Sequence, residues 1–205
     1  MKIFFTYSWG DLENSVSLNF NSAKCVFPEV ELIQGKETIL DTYFYLSSLS
    51  PDNMFVWIDG DNQVKPEAIK ILDCKKPSIL STINEYGIVY GHGGIKLCPT
   101  SVVIRKGVID VTYYLGLNPV DVIGSYHGLG DGWIKYRAIF VEMIKCALKG
   151  EHYNLIPWQR VRPDIWKSAE YLLTTSDIDT VIDLIRNRNS FKRYYENSLR
   201  INMQE

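Results

Sequence analysis

Long apolar runs are missing from this 205-residue chain: the longest candidate, Trp133 to Leu148, is broken by Lys135, Arg137, Glu142 and Lys145. That falls short of the roughly 20 clean apolar residues of a membrane helix, so no membrane partner is expected. Cysteine is scarce too. The four present, Cys25, Cys74, Cys98 and Cys146, form no C-x-x-C pair, which speaks against a zinc ribbon, a redox dithiol or a dense disulfide framework and leaves reduced, packed thiols. With 8 Pro and 14 Gly there is neither a disordered nor a collagen-like bias, and no internal repeat shows. The opening Met1-Lys2-Ile3-Phe4-Phe5-Thr6-Tyr7 has no long apolar core and no small-residue cleavage site. It reads as a strand that begins at once, and a cytoplasmic location is expected. What is there, 46% hydrophobic and 22% charged residues, suits one compact domain over 1–205.

The near-neutral net charge of −2 hides an asymmetry. Residues 1–64 carry nine acids against Lys2, Lys24 and Lys36, a balance of −6, so the remainder is +4, with a local excess at Arg186, Arg188, Lys192, Arg193 and Arg200. An acidic half can hold a cation, and a basic end can meet phosphate.

Apolar patterning predicts strands over Lys2–Tyr7, Val30–Ile33 and Met54–Ile58, the last a continuous pentad suited to a central parallel strand buried on both faces. Ile39, Leu40, Tyr43, Phe44, Leu46 and Leu49 predict a helix between Lys36 and Ser50, and Pro66–Leu72 a short helix with proline in its first turn. Ser78–Val103 reads as strand broken by Gly91-His92-Gly93-Gly94, followed by strands over Val108–Tyr114 and Val120–Tyr126. Asp131–Lys149 is the longest helical stretch and stops at Gly150. Trp158–Trp166 reads as irregular, and Ser176–Arg188 and Ser190–Arg200 as closing helices. The alternation implies an α/β mixed sheet flanked by helices, with no linker to a second domain.

Chemistry gathers at three places. Asp59-Gly60-Asp61 follows the buried pentad, where ligands bind in such sheets. Its carboxylates suit Mg²⁺ or Mn²⁺ completed by phosphate oxygens, or they are simply solvated loop acids. An EF-hand fails, because the sixth and twelfth positions are Val64 and Lys70. A phosphatase with Asp59 as nucleophile is the runner-up. Next, Tyr90-Gly91-His92-Gly93-Gly94-Ile95-Lys96 joins a glycine turn to an aromatic, an imidazole and a cation. Its backbone can approach a sugar or phosphate with Lys96 as counter-charge, or it is a plain hairpin. Finally, Arg137 shares an apolar helix stripe with Phe140, Val141, Ile144 and Leu148. It needs a partner, either a structural carboxylate or a group in the active site. Upstream, His127 is a possible third metal ligand, and Asp131 is a helix cap or a catalytic base.

Together, Gly35-Lys36-Glu37-Thr38-Ile39, Met54 to Asn62, Asn84 to Pro99, Asp110-Val111-Thr112 and Trp133 to Lys145 resemble the GT-A-fold glycosyltransferase-like proteins of tailed phages. These are related to glycosyl- and arabinosyltransferases that modify bases in phage DNA. The resemblance covers roughly residues 30–150, and the glycine-lysine motif is its most specific part. Asn84-Glu85 stands where Asn-Pro is expected, and Phe140-Val141-Glu142 where Phe-Arg-Glu is.

The resemblance implies a GT-A, Rossmann-like catalytic domain: a donor and metal half over 1–64, the glycine-lysine loop and long helix over 78–150, and a helical segment over 151–205. It implies a nucleotide-sugar donor, UDP-linked, with Mn²⁺ or Mg²⁺ on Asp59 and Asp61. Lys36 would lie near the nucleotide and Gly93, Gly94 and Lys96 near the sugar or acceptor, with Thr6, Tyr7 and Tyr90 completing the binding set. The catalytic candidates are Asp131 as base, His127 as its alternative, and Arg137. The expected activity is sugar transfer to a hydroxyl, for which the charge pattern permits a DNA acceptor such as a hydroxymethylated pyrimidine in the host cytoplasm. A non-catalytic nucleotide-sugar-binding module is the other alternative.

Overall fold

A computed structural model describes residues 1–7, 13–36, 38–90, 94–102 and 115–202 of the chain. The elements run β1 (Ile3–Tyr7), α1 (Glu13–Val26), β2 (Glu31–Gln34), α2 (Ile39–Leu49), β3 (Met54–Asp59), β4 (Asn62–Val64), a 3-10 helix (Pro66–Asp73), β5 (Ser78–Asn84), β6 (Val89–Tyr90), β7 (Ile95–Pro99) and β8 (Asn118–His127). Five helices follow: α3 (Gly132–Lys149), α4 (His152–Val161), α5 (Pro163–Thr175), α6 (Ile178–Arg186) and α7 (Arg188–Asn202). Contacts gather into two compact units, Met1–Gly128 and Leu129–Glu205. Among the described residues no helix is long and apolar enough to cross a membrane.

The first unit is α/β, built on a mixed sheet flanked by helices and compatible with a Rossmann-like arrangement. Its strand order is β2-β1-β3-β7-β5-β8-β4, with β6 paired to β5. β1 runs parallel to β2 and β3, β3 antiparallel to β7, and β5 parallel to β8. Alternate residues of the central strands feed two cores. Ile3, Phe5, Val56 and Ile58 pack with Val16, Ala23 and Phe27 of and just after α1. Phe4, Phe55 and Trp57 pack with Tyr43 and Leu46 of α2. At about 2 to 3 kcal/mol for each fully buried large apolar side chain, these residues fix the sheet centre firmly enough to hold charges at its end.

The connection from β3 to β4 sets the shape of the sheet. Three strands separate them on the sheet path, which is about 19 Å on a flat sheet. Yet β3 ends at Asp59 and β4 begins at Asn62, and three Cα steps reach about 11 Å at most. The sheet must therefore curl, and Gly60-Asp61 closes the curl.

The expected strands and the helices at 39–49, 66–73 and 132–149 form within a few residues of their predicted bounds, and Gly150 closes α3 at φ 70°. The predicted strand Val108–Tyr114 lies outside the described residues. Three segments differ from expectation. Asn62–Val64, for which no element is predicted, forms β4. Residues 13–26, for which no element is predicted, form α1. Trp158–Trp166 is helical, not irregular, because Pro163 stands in the first turn of α5, where its missing N–H costs nothing. Pro157 is accommodated inside α4, which buries Leu155 and Trp158.

In the second unit, α3 and α7 meet through an aromatic cluster. Phe140 and Phe191 have ring centres 5.1 Å apart, and Tyr136 and Tyr195 have theirs 4.8 Å apart.

Candidate functional site

Polar side chains in the first unit converge where β3, β5 and β8 end. Asp59, last residue of β3, forms an ion pair with Lys96 of β7. The pairing follows from the register, because Trp57 stands opposite Lys96 and two residues along a strand restore the same face. The Lys96 side chain is only 4% exposed, its ammonium lies 5.0 Å from the Trp57 ring centre, and Asp59 is 33% exposed. Burial pushes the Asp59 carboxyl upward against the pull of Lys96.

Asp61 is anchored separately. Its Oδ2 lies 3.1 Å from His127 Nε2, its Oδ1 accepts from Asn62 Nδ2 at 2.6 Å, and its backbone carbonyl accepts from Gly128 N–H at 2.9 Å. Burial of the carboxylate acts to raise it, but the charge and hydrogen bond of His127, aided by Lys96 and Asn62, hold it down to about 2. His127 Nδ1 in turn is hydrogen-bonded with the Tyr90 hydroxyl. Two carboxylates two residues apart are thus held by two different side chains, the Lys96 ammonium and the His127 imidazole.

Asn62 is held as tightly. Its Oδ1 accepts from Ser125 Oγ at 2.8 Å and Thr82 Oγ1 at 3.3 Å, and the two hydroxyls lie 3.0 Å apart. The Asp61 carboxylate, which only accepts, fixes the NH₂ end of the amide toward itself and leaves Oδ1 to the two hydroxyls. Gly94 makes room for this: an added Cβ would lie 2.7 Å from Asn62 Oδ1 and inside the envelope of the rest of the amide.

An irregularity in β8 supplies Ser125 and His127. Ser78 lies opposite Asn118 but Asn84 lies opposite His127, so β8 uses three more residues than β5 over the same span. Bulges of this kind re-aim side chains. The odd excess gives Ser125 and His127, in place of residues 124 and 126, the face of Thr82 and Asn84. Gly124 permits it, since a Cβ there would lie 2.5 Å from Leu80 Cδ1.

The other expected site residues are placed differently. Lys96 is not open to phosphate but is buried against Asp59. Thr6 is buried with its hydroxyl accepting the Trp57 indole N–H at 2.8 Å. Tyr7 ends β1 beside Gly60, whose missing Cβ would lie 2.6 Å from the Thr6 carbonyl oxygen. The Lys36 ammonium lies 3.9 Å from the Tyr45 ring centre. Gly93 lies outside the described residues. Arg137 and Asp131 belong to the second unit. Arg137 donates to the Ile185 carbonyl at 2.6 Å, in the last turn of α6 and at the negative end of its dipole, so this partner is neither a carboxylate nor a phosphate. Asp131 is the N-cap of α3 by its backbone, but its carboxylate makes no capping bond; it is 98% exposed and lies 3.8 Å from Lys135. Asn62, Thr82, Asn84 and Ser125 are site residues that the sequence reading did not single out.

Among the described residues no three His, Cys, Asp or Glu side chains come together as a metal-ligand set. Asp59 and Asp61 alone, hard oxygen donors with Asp59 already compensated by Lys96, fit Mg²⁺ or Mn²⁺ only when a diphosphate supplies further oxygens.

The acid behaviour of the metal-free protein follows from Asp61. Its folded value lies below the usual 3.8, so its contribution is complete above about pH 4 and lost as pH falls toward 2. The contribution is about 1 kcal/mol after allowance for screening of a half-exposed group. Urea unfolding at pH 6 is expected to show Asp61→Asn less stable than wild type by that amount. At pH 2 the difference is expected to shrink to less than half, and an unchanged gap would remove Asp61 as its source.

No protein-family model matches the chain, and no curated protein matches it significantly.

Proposed function

We propose that the chain is a glycosyltransferase that binds a nucleoside-diphosphate sugar, UDP-linked, where β3, β5 and β8 end, and passes the sugar to a hydroxyl. The observation that carries this reading is the Asp59-Gly60-Asp61 turn at the end of a buried strand, with its two carboxylates held by Lys96 and His127. The resemblance of its strand end and glycine-lysine segment to GT-A glycosyltransferases supports it. Asp61 and Asp59 would hold Mn²⁺ or Mg²⁺ together with the diphosphate, and the metal's chemistry is to offset charge on the departing diphosphate. The sugar's anomeric carbon gains a bond to the acceptor oxygen as its bond to the diphosphate breaks, and the acceptor proton passes to a base. His127 would serve as the base in its neutral form, with Nε2 freed once Asp61 turned from it to a metal; Asp131 is a solvent-exposed carboxylate of the second unit. The hydroxymethyl group of a modified pyrimidine in DNA is the acceptor proposed.

The test is a thermal-shift series with Mn²⁺ alone, UDP-sugars alone, and both together. Mn²⁺ alone is expected to do nothing, since the chain offers two carboxylates and no third ligand among the described residues. The pair, at 100 times the dissociation constant, is expected to raise the midpoint by about 5 °C or more. No shift with any nucleotide sugar would overturn the reading. Stabilisation by beryllium fluoride and Mg²⁺ in its place would turn the assignment to nucleophilic chemistry at Asp59.

A further inference from the structure

We infer that Asn84 is a ligand-binding residue whose side-chain amide donates a hydrogen bond to a hydroxyl of the donor sugar, an inference that rests on the nucleotide-sugar reading of the site. Asn84 ends β5 and is only 2% exposed. Its Oδ1 accepts from the backbone N–H of Tyr86 at 2.9 Å and of Ile88 at 3.3 Å. Turning the amide over would bring its NH₂ against those two donors, so its orientation is fixed. The Nδ2 then has no hydrogen-bond partner among the described residues. A buried donor left unpaired is costly and rare, and in a native chain it calls for an explanation.

The location supplies one. Asn84 stands directly opposite His127, and two residues before it Thr82 stands opposite Ser125 and Tyr90. All five therefore share one sheet face and one strand end, the face on which Thr82 and Ser125 grip Asn62 and His127 meets Asp61. The two asparagines of this face contrast. Asn62 is engaged at both ends of its amide, as a residue that positions Asp61. Asn84 is engaged at one end only and presents the other.

The chemistry nearby selects the class of oxygen. A neutral amide opposite His127, the residue that meets Asp61, suits a neutral oxygen such as a sugar hydroxyl, whereas the charged oxygens of the diphosphate are better matched by a metal or a cationic side chain. Because the nitrogen is covered in the ligand-free chain, the bond forms only as the sugar seats. It therefore favours the sugar-bearing nucleotide over the nucleotide alone.

Calorimetric titration of wild type and Asn84→Asp with UDP, UDP-glucose, UDP-galactose and UDP-xylose, all with saturating Mn²⁺, tests this. Asn84→Asp keeps an oxygen for the Tyr86 and Ile88 amides, removes the N–H donor and adds a carboxyl whose charge acts alike on UDP and on the sugar nucleotides, so the readout is the ratio of the two affinities. The ratio of sugar-nucleotide to UDP affinity, taken for the best-bound sugar nucleotide, is expected to fall about 10- to 100-fold. In ¹⁵N spectra, the side-chain NH₂ pair that disappears in Asn84→Asp is expected to shift in wild type on adding that sugar nucleotide and not on adding UDP. Unchanged sugar-nucleotide affinity in the variant overturns the inference, as does an NH₂ pair that stays in place. An equal loss for UDP and the sugar nucleotides also overturns it, by making Asn84 purely architectural, and so does wild type binding every sugar nucleotide no tighter than UDP. If wild type binds neither, the nucleotide-sugar reading itself fails and takes this inference with it.

Discussion

Asp61→Ala is expected to weaken Mn²⁺-dependent binding of UDP-sugars by about 100-fold or more while the protein stays folded. The asymmetry between the two carboxylates is the reason. Asp59 is a third exposed and shares its charge with a buried ammonium, so it offers a cation little net attraction. Asp61 is 53% exposed and held at about 2, hence ionised at any working pH, and it faces an imidazole that can give way. Most of the negative charge available to a metal and diphosphate therefore sits on Asp61. The stability cost of the change is small, about 1 kcal/mol, because a half-exposed carboxylate bonded to His127 and Asn62 is not part of the core. Titration of the variant with UDP-glucose in Mn²⁺ and in chelator measures the effect. If Asp61→Ala binds as tightly as wild type and still responds to the chelator, the metal assignment is wrong.

Much of this site was legible in the sequence, and the remainder depended on register. Met54 to Ile58 stops abruptly at Asp59, and a run of five apolar residues ending in acid suits a buried strand reaching the surface. Lys96 was legible as a cation beside glycines, but its partner was not. That partner follows from β7 lying antiparallel to β3 with Trp57 opposite Lys96, a pairing with no local signature. The same holds for Asn62, Thr82 and Ser125. Each is a polar residue within or beside an apolar strand, a hint of shared contacts, but the irregularity that turns Ser125 toward Thr82, which Gly124 permits by leaving room for Leu80, has no such local sign. Arg137 reads from the sequence as a charge that needs a carboxylate or an active-site group, whereas the partner shown is a helix-end carbonyl 48 residues away, which spacing cannot reveal. The helices α4 and α5 were obscured by Pro157 and Pro163, since proline breaks a helix or begins one according to its position.

The glycine at 94 gives the largest expected stability effect. Gly94→Ala is expected to destabilise the protein by about 3 kcal/mol, lowering the thermal midpoint by roughly 6 to 12 °C for a chain of this size. The argument is spatial. Among the described residues five glycines have positive φ and Gly94 is not one of them, so alanine meets no backbone penalty there. What it meets is the Asn62 amide, whose two ends are tied to Thr82, Ser125 and Asp61. An ordinary side-chain tip would swing aside at little cost, but Asn62 can move only by leaving two buried hydroxyls and Asp61 without this partner. The cost is therefore that of broken polar contacts and not of strain at residue 94. A double-mutant cycle separates the two. Asn62→Ala removes the obstructing atoms, so the double variant Asn62→Ala/Gly94→Ala is expected to be no less stable than Asn62→Ala alone. Full additivity would place the penalty in the backbone and detach Gly94 from the network that aims Asp61.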